Sequence, residues 1–185
     1  MGMAFGPRKS RPLNADELLQ YAVRALGGRA MSAGELRQKL EGRAEQPGDV
    51  RPVLERLRQH GYLDDRRFAE AFSAARLESG GVGKMRVLQD LRRRRVTPGL
   101  ARETVDRTFA GADEIALIEE YLRRKIHRGP LEEYLAQPRH LASTYRRLRT
   151  AGFSSGNAIR VLKRFAAQAE MLESIEEAGD EPAGG

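Results

Sequence analysis

The chain contains no cysteine and no tryptophan, and aromatic residues make up only 6% of its 185 residues. Without cysteine it has no disulfide framework and no thiol chemistry. So few aromatic side chains argue against one large globular core. The charged residues, at 32%, and the many helix formers instead favour an extended helical protein.

The sequence also lacks any long apolar segment. No apolar run approaches the ~18 residues that a membrane-spanning helix needs. Near the start, Arg8, Lys9 and Arg11 are not followed by an apolar stretch, so we expect no signal peptide. We therefore expect a cytoplasmic protein without a membrane partner.

Candidate catalytic residues are missing too. The segment Gly81-Val82-Gly83-Lys84 resembles a phosphate loop, but Glu78 replaces the first glycine of that motif and Met85 the final Ser or Thr. The histidines lack metal-ligand spacing, and we expect each on the surface: His60, His127 and His140. We expect no metal, no cofactor and no enzymatic activity.

Helical periodicity covers most of the chain, and no segment alternates as a strand does, so the predicted fold class is all-α. Asn14 with Glu17 and Ser32 with Glu35 form capping boxes at two predicted helix starts. Two further helix starts have predicted caps at Asp49 and Ser154. We expect an insertion that opens at Gly129-Pro130 and extends to about Arg139.

An internal repeat appears when the helices are superposed. Pairs of apolar residues 14 positions apart recur three times: Leu40 and Leu54, Leu91 and Val105, and Leu148 and Leu162. This spacing predicts three tandem three-helix repeats over residues 14–62, 63–110 and 111–173, stacked into an elongated, curved molecule. Residues 1–13 are predicted to be a disordered basic arm and residues 174–185 a disordered acidic tail.

The first two repeats meet at a joint in which nearly every residue has a role in ending one helix or starting the next. Gly61 can take the left-handed conformation that ends a helix, and Asp64 can cap the next one, with Asp65 favoured by the helix dipole. Leu63 and Phe68 occupy the positions of a hydrophobic staple. We expect a rigid joint, with a loss of roughly 3–5 kcal/mol for Phe68→Ala if the ring is fully buried.

The charge is unevenly distributed. Residues 1–165 carry a net charge of +13, and the remaining residues carry six acids and no base. A basic body suggests a polyanionic partner, although a solvated surface on a helical protein accounts for the net charge equally well. The acidic tail is expected to compete with DNA for the basic surface.

Basic residues gather at the ends of predicted helices and along two late helices. They could follow a phosphate backbone, or they could only solvate helices and complement the helix dipole. Few aromatic residues remain for base stacking, so backbone contact without sequence specificity is expected. The candidate residues are Arg92, Arg93, Arg94, Arg95, Arg123, Arg124, Lys125, Arg146, Arg147, Arg149, Arg160, Lys163 and Arg164.

Several of these features together resemble the signature of the RecX family of bacterial regulatory proteins. The resemblance covers about residues 14–170 and centres on the joint, followed by Arg76, Gly81, Gly83, Arg86 and Asp90-Leu91. It adds Arg86 to the candidate binding residues and gives the joint a signature role: Gly61, Tyr62, Leu63, Asp64, Asp65, Arg67 and Phe68. Family members often carry Lys-Gly where this chain has Arg94-Arg95.

The resemblance implies a function. Proteins of this family bind the RecA recombinase filament on DNA, lie in its helical groove and inhibit its ATPase and strand exchange, so it implies a monomeric negative modulator that also contacts single- and double-stranded DNA. The rival hypothesis is a helix-turn-helix transcriptional regulator. Against the rival, no single helix carries an Asn, Gln and Arg set suited to base edges.

Overall fold

A computed structural model describes residues 11–126, 129–166 and 169 of the chain. Within these residues the chain forms ten α-helices and no strand, apart from one isolated bridge between Leu13 and Ala44. The all-α prediction is confirmed. The helices are α1 (Ala15–Gly28), α2 (Ala33–Glu41), α3 (Val50–Gln59), α4 (Asp65–Ser79), α5 (Lys84–Arg93), α6 (Pro98–Phe109), α7 (Glu114–Lys125), α8 (Leu131–Leu135), α9 (Pro138–Thr150) and α10 (Ser155–Leu162).

No helix in the described part of the chain is both long enough and apolar enough to cross a membrane. The predicted acidic tail lies outside the described residues, as do the first ten residues of the predicted arm. The end of the arm is ordered, which corrects that prediction. The Leu13 N–H donates to the Arg43 carbonyl at 2.7 Å, and the Leu13 carbonyl accepts from the Glu45 N–H at 2.8 Å.

Of the four caps predicted at Asn14, Ser32, Asp49 and Ser154, two form and two do not. Both predicted capping boxes form, at Asn14 and at Ser32. Asp49 makes no side-chain cap, because the short 3-10 helix Pro47–Asp49 precedes α3. Ser154 makes none either, because its hydroxyl donates to the carboxylate of Glu114, forty residues earlier.

The predicted joint forms. Gly61 has φ +72°, and its N–H and that of Tyr62 donate to carbonyls of the last turn of α3 at 3.0 and 2.9 Å, which closes the helix in a Schellman motif. Asp64 accepts a hydrogen bond from the Arg67 N–H at 3.0 Å and so caps α4. Leu63 is buried, but Phe68 is only half-buried. The loss of roughly 3–5 kcal/mol predicted for Phe68→Ala assumed a fully buried ring, and that condition is not met.

The chain divides into two compact units, one made of residues 1–69 and 91–101 and the other of residues 70–90 and 102–185. The core of the first unit is formed by α1, α2 and α3, and that of the second by α7, α8, α9 and α10. Segments of the predicted middle repeat contribute to both units. All six apolar residues that defined the repeat are at most 1% exposed: Leu40, Leu54, Leu91, Val105, Leu148 and Leu162.

The predicted insertion contains the unpredicted helix α8. Its Leu135 is fully buried, and its Tyr134 ring stacks on the His140 ring with centroids 4.2 Å apart. The His140 Nδ1 lies 3.1 Å from the Tyr134 carbonyl oxygen. His140 is therefore half-buried, contrary to prediction, whereas His60 is exposed as predicted and His127 lies outside the described residues.

Candidate nucleic-acid interface

In the second unit, the start of α5 is fixed against the end of α9. The Gly83 N–H donates to the Ala151 carbonyl at 2.8 Å, and the Met85 N–H donates to the Gly152 carbonyl at 3.1 Å. A Cβ at Gly83 would lie 2.3 Å from the Gly152 oxygen, so only glycine permits this approach. The phosphate-loop-like segment thus acts as a helix-packing turn.

A cleft of about 490 Å³ lies beside this contact. We call it the cationic cleft, because five of its lining residues are basic: Arg76, Arg86, Lys125, Arg146 and Arg147. Among the described residues no Asp or Glu lines it. Charges of one sign around a concave surface attract an anion.

Helix α9 builds one wall of the cationic cleft through its periodicity. Ser143, Arg146, Arg147 and Thr150 line the cleft and are spaced as one face of a helix. The core-facing residues have the same spacing on another face, and all are buried: Leu141, Thr144, Tyr145 and Leu148. Burial of that second face fixes the orientation of the cationic one.

The five cations of the cleft differ in how far they are neutralised. The carboxylate of Asp90 lies 2.6 Å from a nitrogen of Arg76 and 3.2 Å from one of Arg86, so these two share one partner. Lys125, Arg146 and Arg147 have no carboxylate partner in the described part of the chain. The cleft therefore keeps at least three positive charges for a ligand.

The other predicted binding residues of the second unit do not line the cleft. Arg124 pairs with Glu120 at 2.6 Å, and Arg164 pairs with Glu119. Arg149 donates to the Phe153 carbonyl at 2.8 Å and so completes the turn after α9. Three more are exposed elsewhere on the unit: Arg123, Arg160 and Lys163.

The arginine run at the end of α5, residues 92–95, belongs to the first unit. Two of its arginines are exposed, and the other two contact residues of α2. Arg92 and Arg93 are exposed. Arg94 is half-buried and lies 3.1 Å from the carboxylate of Glu35. Arg95 has φ +58°, and its Nε donates to Gln38 at 3.0 Å. The turn thus adopts the left-handed conformation that glycine favours, with arginine in its place.

Each unit holds one carboxylate whose pKa is lowered by its partners. Burial acts to raise the pKa of Glu35, but hydrogen bonds from Arg29, from the Ser32 N–H and from Arg94 outweigh it. Burial likewise acts to raise the pKa of Glu114, and donors on Ser154 and Asn157 outweigh it. Both glutamates are structural acceptors in their ionised form.

The joint residues have mostly structural contacts. Asp65 accepts a hydrogen bond from the Ala33 N–H at 2.6 Å and so holds the start of α2. Arg67 is exposed, and its backbone N–H is used in the cap at Asp64. Tyr62 is 60% exposed, so its side chain is accessible to solvent.

Four polar residues that line the cationic cleft were not among the candidates: Arg76, Tyr121, Ser143 and Thr150. Arg76 belonged to the family signature but not to the predicted binding set. The polar stripe on α9 was visible as a helical spacing opposite the apolar one. For Tyr121 no local pattern signalled the site, because it depends on the packing of α7.

These observations define a class: an all-helical protein of two compact units, with a cationic cleft in the second of them. The family model described as the second three-helix domain of RecX matches residues 64–105. The regulatory protein RecX of Deinococcus radiodurans is 38% identical over 151 residues, which cover 80% of this chain and 69% of that relative.

Other relatives agree. The regulatory protein RecX of Trichlorobacter lovleyi is 36% identical over 120 residues, covering 56% of this chain and 78% of that relative. The crystal structure of RecX from Lactobacillus salivarius matches with a TM-score of 0.61 at 14% identity, over 82% of this chain and 96% of that one, and so supports the fold. The chain belongs to the RecX family of regulatory proteins.

Proposed function

We propose that the chain is a negative modulator of the RecA recombinase. It binds the RecA–DNA filament in its groove and inhibits ATP hydrolysis and strand exchange. Membership of the RecX family supports a regulatory role. One observation supports a partner that is bound to DNA. The cationic cleft holds three cations that have no carboxylate partner within the described chain.

The DNA contact is proposed to be independent of sequence. Basic side chains and hydroxyls line the cleft, and such groups suit phosphates and carry no sequence information directly. Recognition of the RecA protein itself is assigned to other exposed residues, of which Tyr62 in the joint is the first candidate. The chain is proposed to act as a monomer in the cytoplasm.

The decisive experiment is the ATPase activity of RecA on single-stranded DNA, titrated with this chain. We expect the rate to fall as the chain is added, and strand exchange between homologous DNAs to fall in parallel. An ATPase rate and a strand-exchange yield that stay constant over the titration would refute the proposal.

A second measurement separates the proposal from a transcriptional regulator. Binding of the chain to several unrelated duplexes of equal length should give equal affinities at one salt concentration. One strongly preferred palindrome would favour the regulator instead.

A further inference from the structure

The cationic cleft carries more positive charge than the described chain neutralises. Lys125, Arg146 and Arg147 line it without a carboxylate partner among the described residues. Three hydroxyls beside them likewise have no partner there: Tyr121, Ser143 and Thr150. Grouped cations repel one another, and donors without acceptors favour a ligand rich in anionic oxygens.

Carboxylates supply such oxygens, and the sequence holds a concentrated source of them. Residues 170–185, which we call the acidic segment, contain six acids and no Lys or Arg. An ionised carboxylate only accepts hydrogen bonds, so it complements both the cations and the hydroxyls of the cleft. The six acids are Glu170, Glu173, Glu176, Glu177, Asp180 and Glu181.

The path of the chain brings the start of the acidic segment to a helix that builds the cleft. Ala169, the residue before the segment, is fully buried in the core of the second unit. Shortly before it, Arg164 pairs with Glu119 on α7. Further along α7, Tyr121 and Lys125 line the cleft, and Lys125 lies only about 9 Å along the helix from Glu119. The acidic segment is long enough to cross the cleft, since it can extend over roughly 50 Å.

We infer that the acidic segment docks in the cationic cleft of its own chain, with its carboxylates on Lys125, Arg146 and Arg147. The docked segment occupies the surface that the proposed function gives to DNA, so DNA binds there only after displacing it. The contact is autoinhibitory, and it weakens as salt screens it. The inference rests on the proposed function only in taking DNA as the competitor.

The docking itself is tested on the full chain by carbodiimide cross-linking at low salt, which joins a lysine amine to a carboxylate in direct contact with it. Peptide mass spectrometry should find the acidic segment joined to Lys125 in severalfold higher yield than to Lys39 or Lys84. Both control lysines are exposed and lie outside the cleft lining, and Lys84 pairs with Asp106. The yield should not depend on protein concentration, because the contact lies within one chain. Equal yields at the three lysines would overturn the inference.

A variant of the full chain tests the competition with DNA. Glu173→Gln, Glu176→Gln and Glu177→Gln together neutralise half of the acids of the segment without shortening the chain. The probe is a fluorescein-labelled oligothymidylate, with its affinity measured by anisotropy. At low salt the affinity should rise roughly threefold to tenfold, since each exposed ion pair contributes modestly. At high salt the gain should vanish.

Two backgrounds of equal charge separate docking from simple repulsion between the acidic segment and DNA. Arg146→Gln with Arg147→Gln removes most of the docking site, so the three glutamine substitutions should change the affinity little in this background. Arg139→Gln with Arg160→Gln is the matched control, and in it the full gain should persist. Both control residues are exposed, lie outside the cleft lining and have no ion-pair partner among the described residues. Circular dichroism melting checks that each background keeps the fold.

An equal gain in the two backgrounds would mean that the acidic segment acts through net charge alone, which contradicts the inference. RecA is absent from these assays, so their failure is distinct from a failure of the proposed function. A chain that forms the Lys125 cross-link but leaves the RecA ATPase unchanged would keep the inference and lose the proposed function. Inhibition of RecA without that cross-link would do the reverse.

Discussion

Each unit contains a junction at which the start of one helix packs on the end of another. The two junctions make room for this close approach in different ways. In the first unit α2 starts against the turn after α5, and in the second α5 starts against the turn after α9. In the first, the incoming helix carries the glycine, since a Cβ at Gly34 would lie 2.5 Å from the Arg95 oxygen. In the second, both sides carry a glycine, Gly83 just before α5 and Gly152 in the turn itself.

The contacts that hold the two junctions together differ as well. Side chains join the first junction: the Ser32 hydroxyl donates to the Arg94 carbonyl, and Arg94 pairs with Glu35. Backbone hydrogen bonds from Gly83 and Met85 join the second. Since backbone hydrogen bonds join the second junction, no arginine pairs across it as Arg94 does in the first, and Arg146 and Arg147 beside it have no carboxylate partner in the described chain.

The cavities beside the two junctions show the consequence. The one in the first unit mixes signs, with Glu41 and Asp65 among its lining residues as well as Arg37, Arg58 and Arg95. The cationic cleft is lined by bases and by no acid of the described chain. The number of arginines therefore does not locate a binding surface. An arginine is available to a ligand only where the fold has not already paired it with another group of the chain.

The largest expected effect comes from putting a Cβ into the second junction. In Gly152→Ala the new atom would lie 2.1 Å from the Arg86 nitrogen, and the backbone there has φ +89°. Strain and overpacking together should cost roughly 2–5 kcal/mol of unfolding free energy, measured by urea denaturation.

Gly156→Ala is the matched control for this variant. Gly156 lies in α10 with open space around its Cβ position, so alanine should stabilise the helix by up to ~1 kcal/mol. Equal stability of both variants would mean that the second junction is looser than the structure shows.

A smaller effect should separate the arginines of the two units. Arg94→Ala leaves the 15% exposed Glu35 side chain with one donor fewer, and it should cost about 1 kcal/mol. Arg147→Ala removes an exposed cation without a partner among the described residues and should cost less than about 0.5 kcal/mol. Urea denaturation at neutral pH measures both. A larger loss for Arg147 would give the cleft wall a structural part.

Local signals in the sequence predicted most of the helices, because their determinants lie within a few residues. The two capping boxes, at Asn14 and Ser32, each need a partner only three positions away. The Gly61 turn likewise depends on one residue and the helix before it. The repeat predicted the buried leucines, because periodicity reports burial directly.

The predictions that failed concern contacts between residues that are far apart in the sequence. Ser154 bonds to Glu114 instead of capping its helix, and Arg94 pairs with Glu35, 59 residues before it. The cationic cleft joins residues from α4, α5, α7 and α9, and no window of sequence contains that combination. The half-buried Phe68 shows the same limit, since a staple position does not state how much of the ring is covered.

Acid should weaken both units through one glutamate each. The pKa of Glu35 is lowered in the folded chain from its usual 4.5, so its stabilising contribution is present above that pH and is lost as the pH falls through the folded value. Glu35→Gln should therefore flatten the dependence of unfolding free energy on pH below about 4.5. Glu114→Gln should do the same, because its pKa is lowered too. An unchanged pH dependence in both variants would contradict the assigned contacts.

A last substitution, with a small expected effect, converts the turn of the first junction into that of the second. Arg95 holds φ +58°, a conformation that costs a residue other than glycine about 1–3 kcal/mol. Arg95→Gly relieves this cost but adds the entropy of glycine, ~0.5–1 kcal/mol, and loses the hydrogen bond to Gln38. The net result should be a gain of under about 1 kcal/mol, with DNA affinity unchanged apart from the loss of one charge. Arg92→Gly is the control: Arg92 lies in α5, where the same substitution should cost about 1 kcal/mol. Equal losses of unfolding free energy for the two variants in urea denaturation would mean that the left-handed turn stores no strain. If Arg95→Gly alone also abolishes the binding of single-stranded DNA, the phosphate contacts extend into the first unit.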